Sequence, residues 1–218
     1  MQLEPPAVCV VTRARGAEGS KERLALLRRL AAAAEAGAAM IQVRERQLDD
    51  RALVTFIREV LGVSGGTACK VLVNERLDIA IAAGAQGVHL KSDSLSAPDA
   101  RGVAPVGAWI GRSVHSVAEA MEVESAGGCD YLFFGTVFPS TSKADDHPVA
   151  GLDALRDVCE KVALPVVAIG GVTPARAAAL ARAGAAGAAA ISLFAEADDV
   201  GRAVSALRDA LTVNQRNV

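Results

Sequence analysis

Residues 165–192 read PVVAIGGVTPARAAALARAGAAGAAAIS, and this stretch decides the fold. Four apolar residues, Val166 to Ile169, run into a glycine pair, which predicts a short buried strand. Thr173 then sits where a helix N-cap belongs, with Pro174 at the first helical position. Alanine, the best helix former, fills the span to 183, and Gly184 ends it. A second apolar run over 187–191 follows. Both strands are apolar on both faces, as a sheet covered by helices requires.

The same junction recurs along the chain. AGAAGA (183–188) has counterparts in AGAQGV (83–88) and AGGCDY (126–131), each closing a helix and leading into a strand. Strands are expected over 7–12, 39–43, 70–73, 87–90, 109–112, 131–134, 166–169 and 187–191. Helices are expected over 20–36, 49–61, 76–83, from about 97, and over 116–126, 152–161, 174–183 and 200–211. Eight βα units in 218 residues fit an α/β (β/α)8 TIM barrel, one domain over 1–218. An open doubly wound sheet is the alternative, because alternation does not show closure.

The composition agrees. Hydrophobic residues make up 51% and aromatics only 3%, so Ala, Val, Leu and Ile must build the core. The formal charge of −2 comes without a basic block, which argues against a nucleic-acid partner. Charges and glycines interrupt every apolar run, so no membrane span is expected. MQLEPPAVCV lacks the basic start and apolar stretch of a signal peptide, and the four cysteines are scattered with no CxxC pair. Reduced thiols and a cytoplasmic location are expected. The expected partners are small phosphorylated molecules, and a homodimer is the association allowed for.

In a barrel of this kind the chemistry sits where the strands end. After strand two come Gln42, Arg44 and Arg46; after strand three, Asn74 and Glu75. His89 ends strand four, with Lys91 and Asp93 just beyond, and strand five leads to Ser113 and His115. FFGTVFPSTSK (133–143) carries strand six into Ser140, Thr141, Ser142 and Lys143. Gly170 and Gly171, followed by a helix start, match a phosphate cradle together with Ile191 and Ser192 after strand eight. Arg44, Arg46, Asn74 and Lys143, with the hydroxyls of Ser140, Thr141 and Ser142, form a second polar set that holds more cations than one monophosphate needs and suits a diphosphate.

IQVRER, VLVNERLDIAIAAGAQGVHL, IGRSVHS, DYLFFGTVFPSTSK and PVVAIGG together resemble the thiamine-phosphate synthase/TenI family, in that family's order. The resemblance implies a (β/α)8 barrel that joins hydroxymethylpyrimidine diphosphate to thiazole phosphate and releases pyrophosphate. It further implies Gln42, Arg44, Arg46 and Asn74 on the pyrimidine diphosphate, and Gly170, Gly171, Ile191 and Ser192 on the thiazole phosphate. Arg44, Lys143, Ser113 and His115 would serve catalysis. A magnesium ion would sit on Glu75 and Asp93, although the family's second aspartate falls in register with Ser94. The resemblance also admits a TenI-type thiazole tautomerase, or a thiazole or thiamine phosphate-binding regulator without catalysis. Thr136 stands where the tautomerase carries a histidine.

Overall fold

A computed structural model describes residues 3–13, 18–140 and 148–212. Among them, eight parallel strands close into a barrel in chain order. These are β1 (Ala7–Val11), β2 (Met40–Val43), β3 (Lys70–Asn74), β4 (Gly87–Leu90), β5 (Trp109–Val114), β6 (Tyr131–Phe134), β7 (Val166–Ile169) and β8 (Gly187–Ala190). The covering helices are α1 (Lys21–Glu35), α2 (Asp50–Ser64), α3 (Leu77–Ala83), α4 (Ala97–Val103), α5 (Val117–Ala126), α6 (Gly151–Lys161), α7 (Pro174–Arg182), the short α8 (Ser192–Ala195) and α9 (Val200–Thr212). No described helix is long and apolar enough to cross a membrane.

The expected alternation holds, and several strand ends move, two of them with consequences for the site. β5 continues to Val114 because Ser113 and Val114 pair with Phe133 and Phe134, so Ser113 belongs to the strand and not to its loop. β8 stops at Ala190, and Ile191 leaves extended geometry with φ −103° and ψ −68°. The turn that follows was not expected from sequence.

Period-two alternation sorts each strand into two cores. Ala7, Cys9, Val11, Met40, Leu72, Trp109, Tyr131, Phe133, Val167 and Ala189 pack inside the barrel. Their neighbours, such as Val8, Val10, Ile41, Val71, Val73, Leu132 and Phe134, pack outward against the helices. Trp109, Tyr131 and Phe133 therefore bring three of the few aromatic side chains to the barrel interior, each worth roughly 2–3 kcal/mol of burial. Gly111 makes the room: a Cβ there would lie 2.0 Å from the Tyr131 ring.

Several helix starts are fixed by the chain just ahead of them. Ser20, Asp49, Ser96 and Ser116 each accept a hydrogen bond from a first-turn amide of α1, α2, α4 and α5.

Candidate active site

One inward residue from every strand forms the floor of a cavity at the C-terminal ends of the barrel. They are Val11, Gln42, Asn74, His89, Ser113, Phe133, Ile169 and Ala189. The cavity holds about 1090 Å³. That exceeds the roughly 300–1,000 Å³ of a site for one small ligand. Among the described residues, Arg13, Arg44, Arg46, Lys91 and Arg176 line it against a single carboxylate, Glu196. Such a mouth selects anions.

On the β2–β4 side a chain of polar groups crosses the rim. Gln42 Nε2 donates to Asn74 Oδ1 at 2.9 Å, and Asn74 Nδ2 donates to Glu75 Oε2 at 2.9 Å. The Lys91 ammonium lies 2.6 Å from Glu75 Oε1. Glu75 has φ 63°, the left-handed region that a non-glycine residue enters at a cost of about 1–3 kcal/mol. Its amide is fixed there by the carbonyl of His89 at 2.8 Å.

Arg44 is half-buried and Arg46 exposed. The Arg44 amide donates to Thr12 Oγ1 at 3.0 Å, which ties the end of β2 to the end of β1. Glu45 accepts the Thr12 hydroxyl, and Glu75 is taken by Lys91. Among the described residues neither Arg44 nor Arg46 forms an ion pair. Burial, then the charge of Arg46, hold the pKa of the Arg44 guanidinium below its ordinary value, against the opposing effect of Glu45 and Glu75.

Ser113 is positioned from beneath. Its hydroxyl lies 2.9 Å from His89 Nε2, and His89 Nδ1 lies 3.0 Å from the Tyr131 hydroxyl. His89 is buried and tilted against Phe133 at 4.1 Å. Burial pulls its pKa down to about 3, so the ring is neutral and orients Ser113 as a hydrogen-bonding group. His115 lies just past β5 on the cavity wall, and its Nδ1–H donates to the carbonyl of Gly135. Its amide donates to Glu119 at 2.7 Å.

The opposite end has a different design. Gly170 and Gly171 have φ 101° and 60°, and Phe138 N donates to Gly170 O at 3.2 Å. Added Cβ atoms would lie 2.5 Å from Thr136 Cγ2 and 2.4 Å from the Pro139 carbonyl, so only glycine fits beneath the loop after β6. Thr173 opens α7, and its hydroxyl makes no capping bond. Arg176 donates to Gly171 O at 2.7 Å and lies 4.8 Å over the Phe138 ring. Ile191 and Ser192 complete the wall. Amides at a helix start beside a cation form an anion site.

The structure thus brings Gln42, Arg44, Arg46, Asn74, Ser113, His115, Ser140, Gly170, Gly171, Ile191 and Ser192 to one cavity. Thr141, Ser142 and Lys143 lie outside the described residues. Lys91, noted after strand four without an assigned role, and Arg176, which the sequence reading did not name, line the same cavity. Both had a signal: Lys91 directly follows β4, and Arg176 lies in the first turn of the helix after the glycine pair.

The magnesium pair fares differently. Glu75 is occupied by Lys91 and Asn74, while Asp93 is exposed and off the cavity wall. Ser94, one residue on, is the side chain that approaches Glu75, with its Oγ 3.5 Å from Oε1. No group of three His, Cys, Asp or Glu among the described residues could hold a metal ion. The misfit to magnesium lies in the arrangement: Glu75 already faces the Lys91 ammonium, and neutral Ser94, not Asp93, is the side chain that approaches it.

Comparisons with known proteins agree with this geometry. A family model described as thiamine monophosphate synthase matches residues 8–194. A thiamine-phosphate synthase of Methanoculleus marisnigri is 43% identical over 84% of this chain and 85% of its own. Another, of Methanocella arvoryzae, is 42% identical over 82% of this chain and 84% of its own. Among solved structures, a thiamine phosphate pyrophosphorylase from Pyrococcus furiosus superposes with a TM-score of 0.82 at 32% identity. It covers 94% of this chain and 95% of that one. With a closed barrel and matches that span nearly every strand, the chain belongs to the thiamine monophosphate synthase family.

Proposed function

We propose that this chain is a thiamine-phosphate synthase. It joins 4-amino-5-hydroxymethyl-2-methylpyrimidine diphosphate to a thiazole phosphate and releases pyrophosphate. One observation carries the reading: a single cavity has two anion-binding ends, the Gly170–Gly171 cradle and the cationic rim at Arg44, Arg46 and Lys91. A reaction between a monophosphate and a diphosphate needs both.

In this reading the thiazole phosphate rests on the amides of Gly170, Gly171 and Ser192, beside Arg176. The pyrimidine lies over Gln42 and Ser113, with the diphosphate toward Arg44, Arg46 and Asn74. The bond between the exocyclic CH₂ and the diphosphate oxygen breaks, and pyrophosphate leaves with the electron pair. The thiazole nitrogen lone pair then bonds to the CH₂, giving the thiazolium. No proton has to be removed, so the work is electrostatic and positional. Arg44, half-buried and without an ion-paired partner among the described residues, meets the charge that develops on the leaving group. Ser140, with Thr141, Ser142 and Lys143 that follow it in sequence, is assigned to that pyrophosphate.

Variants at the two ends test the assignment. Arg44→Ala should weaken the pyrimidine diphosphate and leave thiazole phosphate binding nearly intact, and Gly171→Ala should do the reverse. Parallel loss of both ligands in both variants, measured by calorimetric titration, would contradict two separate ends.

A further inference from the structure

Lys91 stands immediately past β4 and lines the cavity. Its amide donates to Ser94 Oγ at 2.9 Å, and its ammonium lies 2.6 Å from Glu75 Oε1. The lysine is therefore fastened at both ends. Both oxygens of the Glu75 carboxylate are in turn engaged. Oε1 faces Lys91 and the Ser94 hydroxyl, and Oε2 accepts from Asn74, which Gln42 holds through Oδ1.

A metal ion at Glu75 would share the carboxylate with Asn74 and Ser94 and would sit beside an ammonium whose charge repels it. The local charge points the same way. A divalent cation held by two carboxylates sums to zero, and so does one ammonium held by one carboxylate. The chain supplies the second arrangement, with neutral Ser94 as the further neighbour of Glu75. An ammonium has three donors. Glu75 takes one, and the rest are available to anionic oxygens in a cavity whose charged lining is mainly cationic.

We propose that Lys91, held by Glu75, is the resident cation of the diphosphate end. Its ammonium binds the oxygens of the substrate diphosphate and of the departing pyrophosphate, and Glu75 positions the lysine instead of a metal. This assignment rests on the synthase reading and specifies how that reading's cationic rim works.

Inorganic pyrophosphate, titrated into the full chain by calorimetry in excess EDTA, is the probe. The wild-type chain binds it saturably without divalent metal. Lys91→Met weakens that binding by about tenfold or more, and Lys91→Arg restores it to within about threefold. Lys91 is on the rim and partly exposed, and the arginine variant guards against a mere folding defect. Two results would overturn the assignment: binding seen only when Mg²⁺ is added, or Lys91→Met equal to wild type in EDTA. Failure of the wild-type chain to make thiamine phosphate from both substrates strikes the synthase reading instead, so the two failures are told apart.

Discussion

At Gly171 an added Cβ would lie 2.4 Å from the Pro139 carbonyl oxygen and 2.7 Å from Phe138 Cβ, at a φ of 60°. The backbone conformation and the packing of the loop after β6 both demand a residue without a side chain. Gly171→Ala should therefore cost about 1–2 kcal/mol of stability and weaken thiazole phosphate roughly tenfold or more, because the cradle must shift. Arg44→Ala should lower kcat/KM by about 100-fold, since it removes a cation facing the leaving group. Much of this was legible residue by residue. A glycine pair at a strand end and cations after β2 are local signals. The pairing of Glu75 with Lys91 was not, because it depends on a register between two loops and on a left-handed backbone at Glu75 that no local pattern announces.

The elements follow from punctuation. Ser20, Asp49 and Ser116 cap helices as their positions suggest, and the glycine junctions close α3, α5 and α7. β5 outran its expected end because ladder pairing with β6, and not composition, decides where a strand stops. α8 escaped notice because a single turn has no periodicity to read. Between α1 and α2 lies a contact that composition hides. Arg23 is 2% exposed, pairs with Glu59 at 2.9 Å, and stacks over Phe56 at 4.1 Å. Glu59→Ala would leave a buried guanidinium without its carboxylate. A loss of about 3 kcal/mol in urea unfolding is expected, with the cavity and its ligands little affected. An unchanged unfolding midpoint would mean that Arg23 is held by its packing alone.

Across the whole molecule, closure of the barrel brings eight strand ends to one cavity and buries His89 among Tyr131, Phe133 and Ser113. Alternating βα units announced the barrel, yet closure is a long-range property that periodicity does not contain. Burial of His89 has a global consequence. Its folded pKa of about 3 lies below the ordinary 6.5, so between those values the unfolded chain holds the extra proton. Stability from this group is complete above pH 6.5 and falls by about 1.4 kcal/mol per unit as the pH drops toward 3. Urea unfolding at pH 5 should thus show about 2 kcal/mol less stability from this source than at pH 7, and His89→Phe should flatten the difference. The same slope in wild type and variant would remove His89 as its cause.

The cavity's two ends acquire their meaning from the reaction that joins their ligands. The direct measurement mixes the purified chain with hydroxymethylpyrimidine diphosphate and thiazole phosphate, and follows thiamine phosphate and pyrophosphate together by phosphorus NMR. The account predicts that both products appear in equal amounts and that neither substrate alone is consumed. No product at enzyme concentrations comparable to substrate, with Mg²⁺ supplied, would contradict it.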